Sequence, residues 1–321
     1  MSFIVDELKE ARTHKKGFVE QINRITPWNE LTELVEPHYY EEGRPGNQPY
    51  SLRLMLRIYV LQNCYDLADD AMRDEVIDSR AFSDFCEVQS SNQVPDGDTI
   101  GRFRNILIKN GIQEQFFALI VKKLTEEKLI LKKGTIVDST FIDAPSSTKN
   151  KEKKRDPDGK SGKKGTTWHF GYKAHVGVDK DTGVVHTVEV TGANESDVNM
   201  TPKLLHGEEE GLWGDAAYVG AEKREDMPKT NKNGKRIRYH INRKKSSYKD
   251  NSKRSQGQIK RREREKSSVR CKVEHVFGLV KKKLRYRKTR YRGIEKQRAK
   301  LNMMFALANL IIADWRRAVA A

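Results

Sequence analysis

Residues 135–142, TIVDSTFI, are dominated by β-branched and aromatic side chains and follow directly on Gly134. Such residues fit a pleated, half-buried surface, so the stretch predicts a strand. It also marks the point where helical patterning gives way to strand patterning. Working outward, residues 170–178 and 184–191 read as two more strands, joined by DKDTG (179–183), a run of turn-forming residues. Residues 197–206 fit a short helix, 211–216 a short buried strand, and 236–241 an alternating edge strand. A long helix follows over about 258–284, and a last one over 300–315 that is apolar almost all round. Strands interleaved with helices make a mixed α/β sheet.

Upstream, residues 1–130 read as helical. Residues 51–65 place Leu54, Ile58, Leu61 and Tyr65 on one face after the breaker-rich GRPG at 43–46. Short helices follow over 66–78 and 79–85. Asp98 is placed to cap a helix carrying Ile100, Phe103 and Ile106 inward, and 112–131 carries Phe116, Ile120 and Leu124 on its stripe. A helix-turn-helix fits within this series, as does any small helical bundle. The domains expected are therefore a helical 1–130 and an α/β 131–321.

Charge separates the same two halves. Of 321 residues, the first 130 carry a net −6 and the remaining 191 a net +23. A field of that size attracts polyanions, and nucleic acid is the usual one. The cations cluster further, in basic loops over 145–166 and 221–266. Residues 149–164 hold no apolar side chain and read as a mobile loop. Residues 222–266 hold 18 Lys and Arg against 6 acids and suit a solvated or phosphate-contacting surface. Three cysteines without a Cys-x-x-Cys pair exclude a disulfide framework and a cysteine-rich zinc site. No apolar run approaches the roughly 20 residues of a membrane span, and the N-terminus lacks a secretory pattern, so a cytoplasmic protein without membrane contact is expected.

Three acids stand out. Asp138 and Asp215 each lie where a buried strand segment ends, Asp215 just after Trp213 and Gly214. Such an acid is ill placed for core packing and suits a metal, although a turn or cap acid has the same pattern. On the long helix, at 100° per residue, Arg270, Glu274 and Lys281 form one polar stripe beside the apolar face of Val269, Val273, Val276, Phe277, Val280 and Leu284. Glu274 there suits a sheet-facing rim, or a simple i,i+4 ion pair with Arg270. Three carboxylates from two strands and a helix match the oxygen ligands that two Mg²⁺ or Mn²⁺ ions need.

The segments GTIVDSTFIDAPSSTKN (134–150), WHFGYKAHVGVD (168–179), ANESD (193–197), LLHGEEE (204–210), LWGDAAYVG (212–220), VRCKVEHVFGLVKKK (269–283) and LNMMFALANL (301–310) resemble bacterial insertion-sequence DDE transposases, most of all the insertion-sequence-five type. PYSLRLMLRIYVLQNCYDLADDAM (49–72) resembles that family's helical domain. The resemblance implies an RNase H-like catalytic fold behind an all-α N-terminal DNA-binding or dimerisation domain. It implies that Asp138, Asp215 and Glu274 are the catalytic triad holding two Mg²⁺ or Mn²⁺ ions. Arg270 and Lys281 match the Arg-x3-Glu-x6-Lys signature, while Ser267 stands where sister families have a tyrosine. The implied reaction is metal-dependent cleavage at element ends and attack of the freed 3′-hydroxyl on target DNA. The implied partners are double-stranded DNA (terminal inverted repeats and target) and further copies of the chain, as a homodimer or larger. A metal-dependent endonuclease without strand transfer is the alternative.

Around the triad, Arg270, Lys281, Lys282, Arg285 and Arg287 form a positive strip suited to phosphate, with Lys149, Lys151, Lys153 and Lys154 in the basic loop and Lys173 on a strand. His169 and His175 suit hydrogen bonding or phosphate contact better than Mg²⁺. Trp168 is placed to stack on a displaced base or to pack at a rim. Asn194 and Asp197 are expected to cap the following helix, and Asp143, an odd offset from Asp138, to point away from it.

Overall fold

The structure is a computed structural model of the chain and describes residues 13–40, 48–145, 155–249 and 251–320. Lys149, Lys151, Lys153 and Lys154 lie outside the described residues. The chain forms two compact units, one up to Ile112 and one from Gln113 onward. The helix at 112–126 therefore counts with the second unit, whereas a division at 130 assigns it to the first.

The first unit is helical: α1 (His14–Ile25), α2 (Trp28–Val35), α3 (Leu52–Tyr65), α4 (Asp69–Asp78), α5 (Arg80–Cys86) and α6 (Gly97–Lys109). Thr13, Ser51 and Asp96 cap helices by accepting the backbone N–H three residues on. The cap of α6 is thus Asp96, with Asp98 inside the first turn. Nor does α3 bury a single stripe: every residue from Met55 to Cys64 is buried. Its polar members find partners for part of their hydrogen-bonding capacity. Arg57 donates to the Phe85 carbonyl and, at 2.9 Å, to Glu87; Gln62 donates to Asp69 at 2.7 Å, and Asn63 to the Tyr59 carbonyl at 2.8 Å.

In the second unit, α7 (Ile112–Glu126) leads into the sheet strands β1 (Gly134–Asp143), β2 (Lys160–Lys164), β3 (Thr167–Asp179), β4 (Val185–Gly192), β5 (Gly211–Gly214) and β6 (Arg238–Ile241). A short helix α8 (Asp197–Met200) follows β4, and the long helices α9 (Lys253–Gly278) and α10 (Ile294–Ala320) close the unit. The body of the sheet runs β4-β3-β1-β5-β6. The β1/β3 and β3/β4 pairs are antiparallel; β1/β5 and β5/β6 are parallel. This is the mixed sheet the patterning predicts. The strand order also meets the sequence expectation for β6 as an edge.

Alternation divides the sheet into two faces. Ile136, Asp138, Thr140 and Ile142 lie directly opposite Val178, Val176, Ala174 and Tyr172, so these eight share one face. Helix α9 covers β1 and β5, and α10 covers β4. The other face carries Val137, packed with Leu204, Leu212, Tyr218, Met227 and Ile237.

Buried polar groups tie the layers together. Asp179, fully buried, accepts N–H groups from Leu131, Lys132, Asp181 and Thr182, which fixes both the turn after β3 and the entry to β1. Asn309 on α10 accepts from the Val185 amide at 2.9 Å and donates to the Val185 carbonyl at 2.7 Å. Within the segment read as a mobile loop, residues 156–164 are held by specific contacts. Lys160–Lys164 pair with β3, Asp156 accepts from the Tyr172 hydroxyl at 2.6 Å and from Gly293 N–H, and Asp158 accepts from Ile294 N–H at the start of α10. Hydrophobic patterning cannot reveal this, because a backbone ladder and two capping carboxylates need no apolar residue. Among the described residues, no helix is long and apolar enough to cross a membrane.

Replacing Asn309 by leucine keeps the volume but strands both polar groups of Val185, at about 1–3 kcal/mol for a buried unmade hydrogen bond. Urea unfolding of Asn309→Leu is expected to show a loss of about 3 kcal/mol relative to the parent chain.

Candidate active site

Asp138 is the fifth residue of β1, well inside the strand rather than at its end, with its side chain 16% exposed. One carboxylate oxygen accepts the Ser139 N–H at 2.8 Å, and the other accepts from the Arg270 guanidinium at 3.1 Å. Burial dominates its acidity and pushes the carboxyl up to about 6. Arg270 and the Ser139 N–H pull it down, and Asp215 pushes it up further.

Asp215 follows β5. The parallel register pairs Ile136 with Trp213, and Asp215, two residues further on, lies near enough to Asp138 for its charge to act on that carboxyl. Neighbouring strands lie about 4.8 Å apart. Asp215 caps a single turn of 3₁₀ helix over Ala216–Tyr218 and accepts the Ala217 N–H at 2.8 Å.

Glu274 lies on α9, one helical turn beyond Arg270. It is exposed and has no hydrogen-bond or ion-pair partner among the described residues. The i,i+4 pair with Arg270 does not form. Arg270, 15% exposed, reaches across to Asp138 and also donates to the Asn242 side chain at 3.3 Å. Among the described residues, no three of His, Cys, Asp and Glu stand close enough together to hold a metal ion. The structure thus brings Asp138 and Asp215 together, and Arg270 supplies the positive charge beside Asp138.

The donor set still suits a hard cation. It consists of carboxylate oxygens, one of them on a group whose burial disfavours its charge unless a cation neutralises it.

The expected DNA contacts divide. Lys173 does not face the acids: it alternates onto the opposite face, is buried, and donates to Asp197 at 3.0 Å and to the Glu195 carbonyl at 2.8 Å. Asp197 does not cap α8; it accepts from Ser139 Oγ at 2.9 Å as well as from Lys173, locking the strand beneath Asp138. Asn194 is exposed in the turn ahead of α8, whose N-cap, Ser196, makes no side-chain capping bond. His175, wholly buried beside Asp197, hydrogen-bonds Thr191 at 2.9 Å and is pushed down to about 4 by burial. His169 bonds Asp143 at 2.8 Å and stacks on Phe141.

Lys281 lies in a π-helical turn, Leu279–Lys283, that interrupts the α-helical phase assumed for its stripe. Its ammonium donates to the Phe141 carbonyl at 2.7 Å, which leaves two donors for other partners. Lys282, Arg285 and Arg287 are exposed just beyond. Trp168 is exposed.

Two residues escaped the sequence reading. Asn242, at the end of β6, links Arg270 to Glu263. Tyr218 is buried, with no hydrogen-bond partner for its hydroxyl among the described residues, and the charges of Asp138, Asp197 and Asp215 add to burial in holding that hydroxyl protonated. Its spacing three residues after Asp215 was the available signal.

Comparison with known families gives the class and then the family. Residues 6–105 match the family described as Transposase domain (DUF772), which puts the chain among transposases. Residues 130–310, more than half of the chain, match the Transposase DDE domain. The chain belongs to the DDE transposase family, enzymes that act on DNA and whose catalytic domain has an RNase H-like fold. No solved structure matches it significantly.

Because the Asp138 carboxyl is raised from 3.8 to about 6, the folded chain binds a proton there that the unfolded chain releases. That contribution to stability is fully present below about pH 4 and lost as pH rises through about 6. At 1.36 kcal/mol per unit it amounts to roughly 3 kcal/mol. In metal-free buffer, the stability difference between Asp138→Asn and the parent should shift by about that much in the variant's favour between pH 4 and pH 7, measured by urea unfolding.

Proposed function

We propose that the chain is an insertion-sequence transposase of the insertion-sequence-five type. In this reading it cuts DNA at the ends of its element and joins the freed 3′-hydroxyl to target DNA. The observation that carries the reading is that Asp215, just past the end of β5, lies near enough to Asp138 on the parallel neighbour β1 to raise its carboxyl, with Arg270 reaching Asp138 from the helix that bears Glu274. Asp138, Asp215 and Glu274 are the ligands for two Mg²⁺ or Mn²⁺ ions. When bound, such ions supply activation of the attacking oxygen and stabilisation of the leaving one.

The protein's own share is position and charge. The Ser139 N–H orients one Asp138 oxygen, and Asp197 anchors Ser139 from below through its hydroxyl. Arg270 has a buried Nε without a partner among the described residues, so its guanidinium has a donor to offer a phosphate once Asp138 is neutralised otherwise. Lys281, Lys282, Arg285 and Arg287 extend a positive surface for the DNA backbone, and Lys149, Lys151, Lys153 and Lys154 add charge in the same half of the sequence. The helical N-terminal region is assigned to DNA-end binding or dimerisation, and the working form is a homodimer or larger assembly on paired ends.

The test uses a plasmid bearing the element's two ends, with Mn²⁺ and the full chain. Cleaved and strand-transferred products are expected from the parent. Asp138→Asn, Asp215→Asn and Glu274→Gln should each lower both by at least about 100-fold while still retaining the DNA in a gel-shift assay. Cleavage without any joined product makes the chain an endonuclease, and undiminished activity in Glu274→Gln removes that residue from the triad.

A further inference from the structure

β2 and β3 form a ribbon of five rungs, from Lys160–Gly171 to Lys164–Thr167. A two-residue turn, Gly165-Thr166, closes it, with Gly165 at a φ of +59° that suits a tight hairpin turn. Strand β1 pairs with β3 only as far as Gly171, and β4 only as far as Tyr172. The outer end of the hairpin therefore extends past both as two strands alone.

What this end displays is unusual for a solvated tip. Six consecutive residues, Lys163–Trp168, are exposed, and Trp168 is 69% exposed. The Lys163 ammonium stands 5.7 Å from the Trp168 ring, and Lys160 and Lys164 flank it along the same strand. Lys164 and Arg287 also crowd Lys281: together with its burial, the dominant cause, they lower the pKa of its ammonium, and Asp143 acts in the opposite direction. Lys164, in the outermost rung beside the turn, thus adds to the positive charge around Lys281.

Position decides which part of a DNA molecule this end can meet. Trp168 lies eight residues along β3 from Val176, the residue opposite Asp138. At about 3.3 Å per residue that is up to roughly 26 Å. A base displaced at the bond held by the acids is out of reach. On a duplex running along the sheet, the same span is about seven or eight base pairs at 3.4 Å each.

We propose that the β2–β3 hairpin is a second DNA-contact site, which holds the duplex flanking the cleavage position by entering its major groove. A groove about 12 Å wide admits a two-stranded ribbon. Lys160, Lys163 and Lys164 meet phosphates, and Trp168 lies against base or sugar edges. The inference rests on the transposase reading, since it takes DNA as the substrate.

Binding of the full chain to a 30-base-pair duplex of random sequence, followed by fluorescence anisotropy in EDTA over a salt series, tests it. Trp168→Ala should weaken binding about tenfold with an unchanged salt slope, and Trp168→Phe should recover most of the loss. The double change Lys163→Gln with Lys164→Gln should lower the salt slope by about 2. Parent-like affinity, within twofold, in Trp168→Ala overturns the hairpin site and leaves the transposase reading standing. A parent chain that binds no duplex at low salt overturns both.

Discussion

A carboxylate set in the middle of a buried strand has to be neutralised, and much of this protein's second unit can be understood as the means of doing so. Asp138 sits between two β-strands and under a helix. Burial is the largest cause holding its carboxyl up at about 6. Arg270 offsets part of that cost through a 3.1 Å ion pair, as does the Ser139 amide. Asp215, just past the end of β5, makes the problem worse. Two acids side by side with one guanidinium between helix and sheet form a centre short of positive charge. A divalent cation relieves that shortage better than a proton or an arginine, because it neutralises both acids at once.

The rest of the architecture serves this centre. The parallel β1/β5 pair brings acids 77 positions apart in sequence to the same level. Helix α9 crosses that pair and delivers Arg270 to Asp138, with Glu274 one helical turn further along. On the opposite face, Lys173, Asp197, Ser139 and His175 form a buried polar network that pins the strand just after Asp138. Such a network costs stability when partly satisfied, so its placement under the acid fits a positioning role.

Much of this was legible in the sequence because it depends on local periodicity. The β-branched run at 135–142 and the turn at 179–183 read directly as strand and hairpin, and the stripe of Val273, Val276, Val280 and Leu284 gave the buried face of the long helix. What escaped depends on distant partners. Lys173 looked like a DNA contact, but alternation turns it to the face opposite Asp138, where Asp197 takes its charge. Asp197 looked like a cap for the same reason. The π-helical turn at Leu279–Lys283 departs from the regular helix on which the stripe placement of Lys281 rests. Asp156 and Asp158 order a stretch without apolar residues by binding a tyrosine hydroxyl and a helix N-terminus, which hydropathy does not register.

Crystals of the chain soaked with Mn²⁺ at pH 7.5 and examined by anomalous diffraction test the central claim most directly. The account predicts manganese about 2.1 Å from oxygens of Asp138, Asp215 and Glu274, with the Arg270 guanidinium withdrawn from Asp138. Manganese bound elsewhere, or an intact Arg270–Asp138 pair at saturating metal, would contradict it.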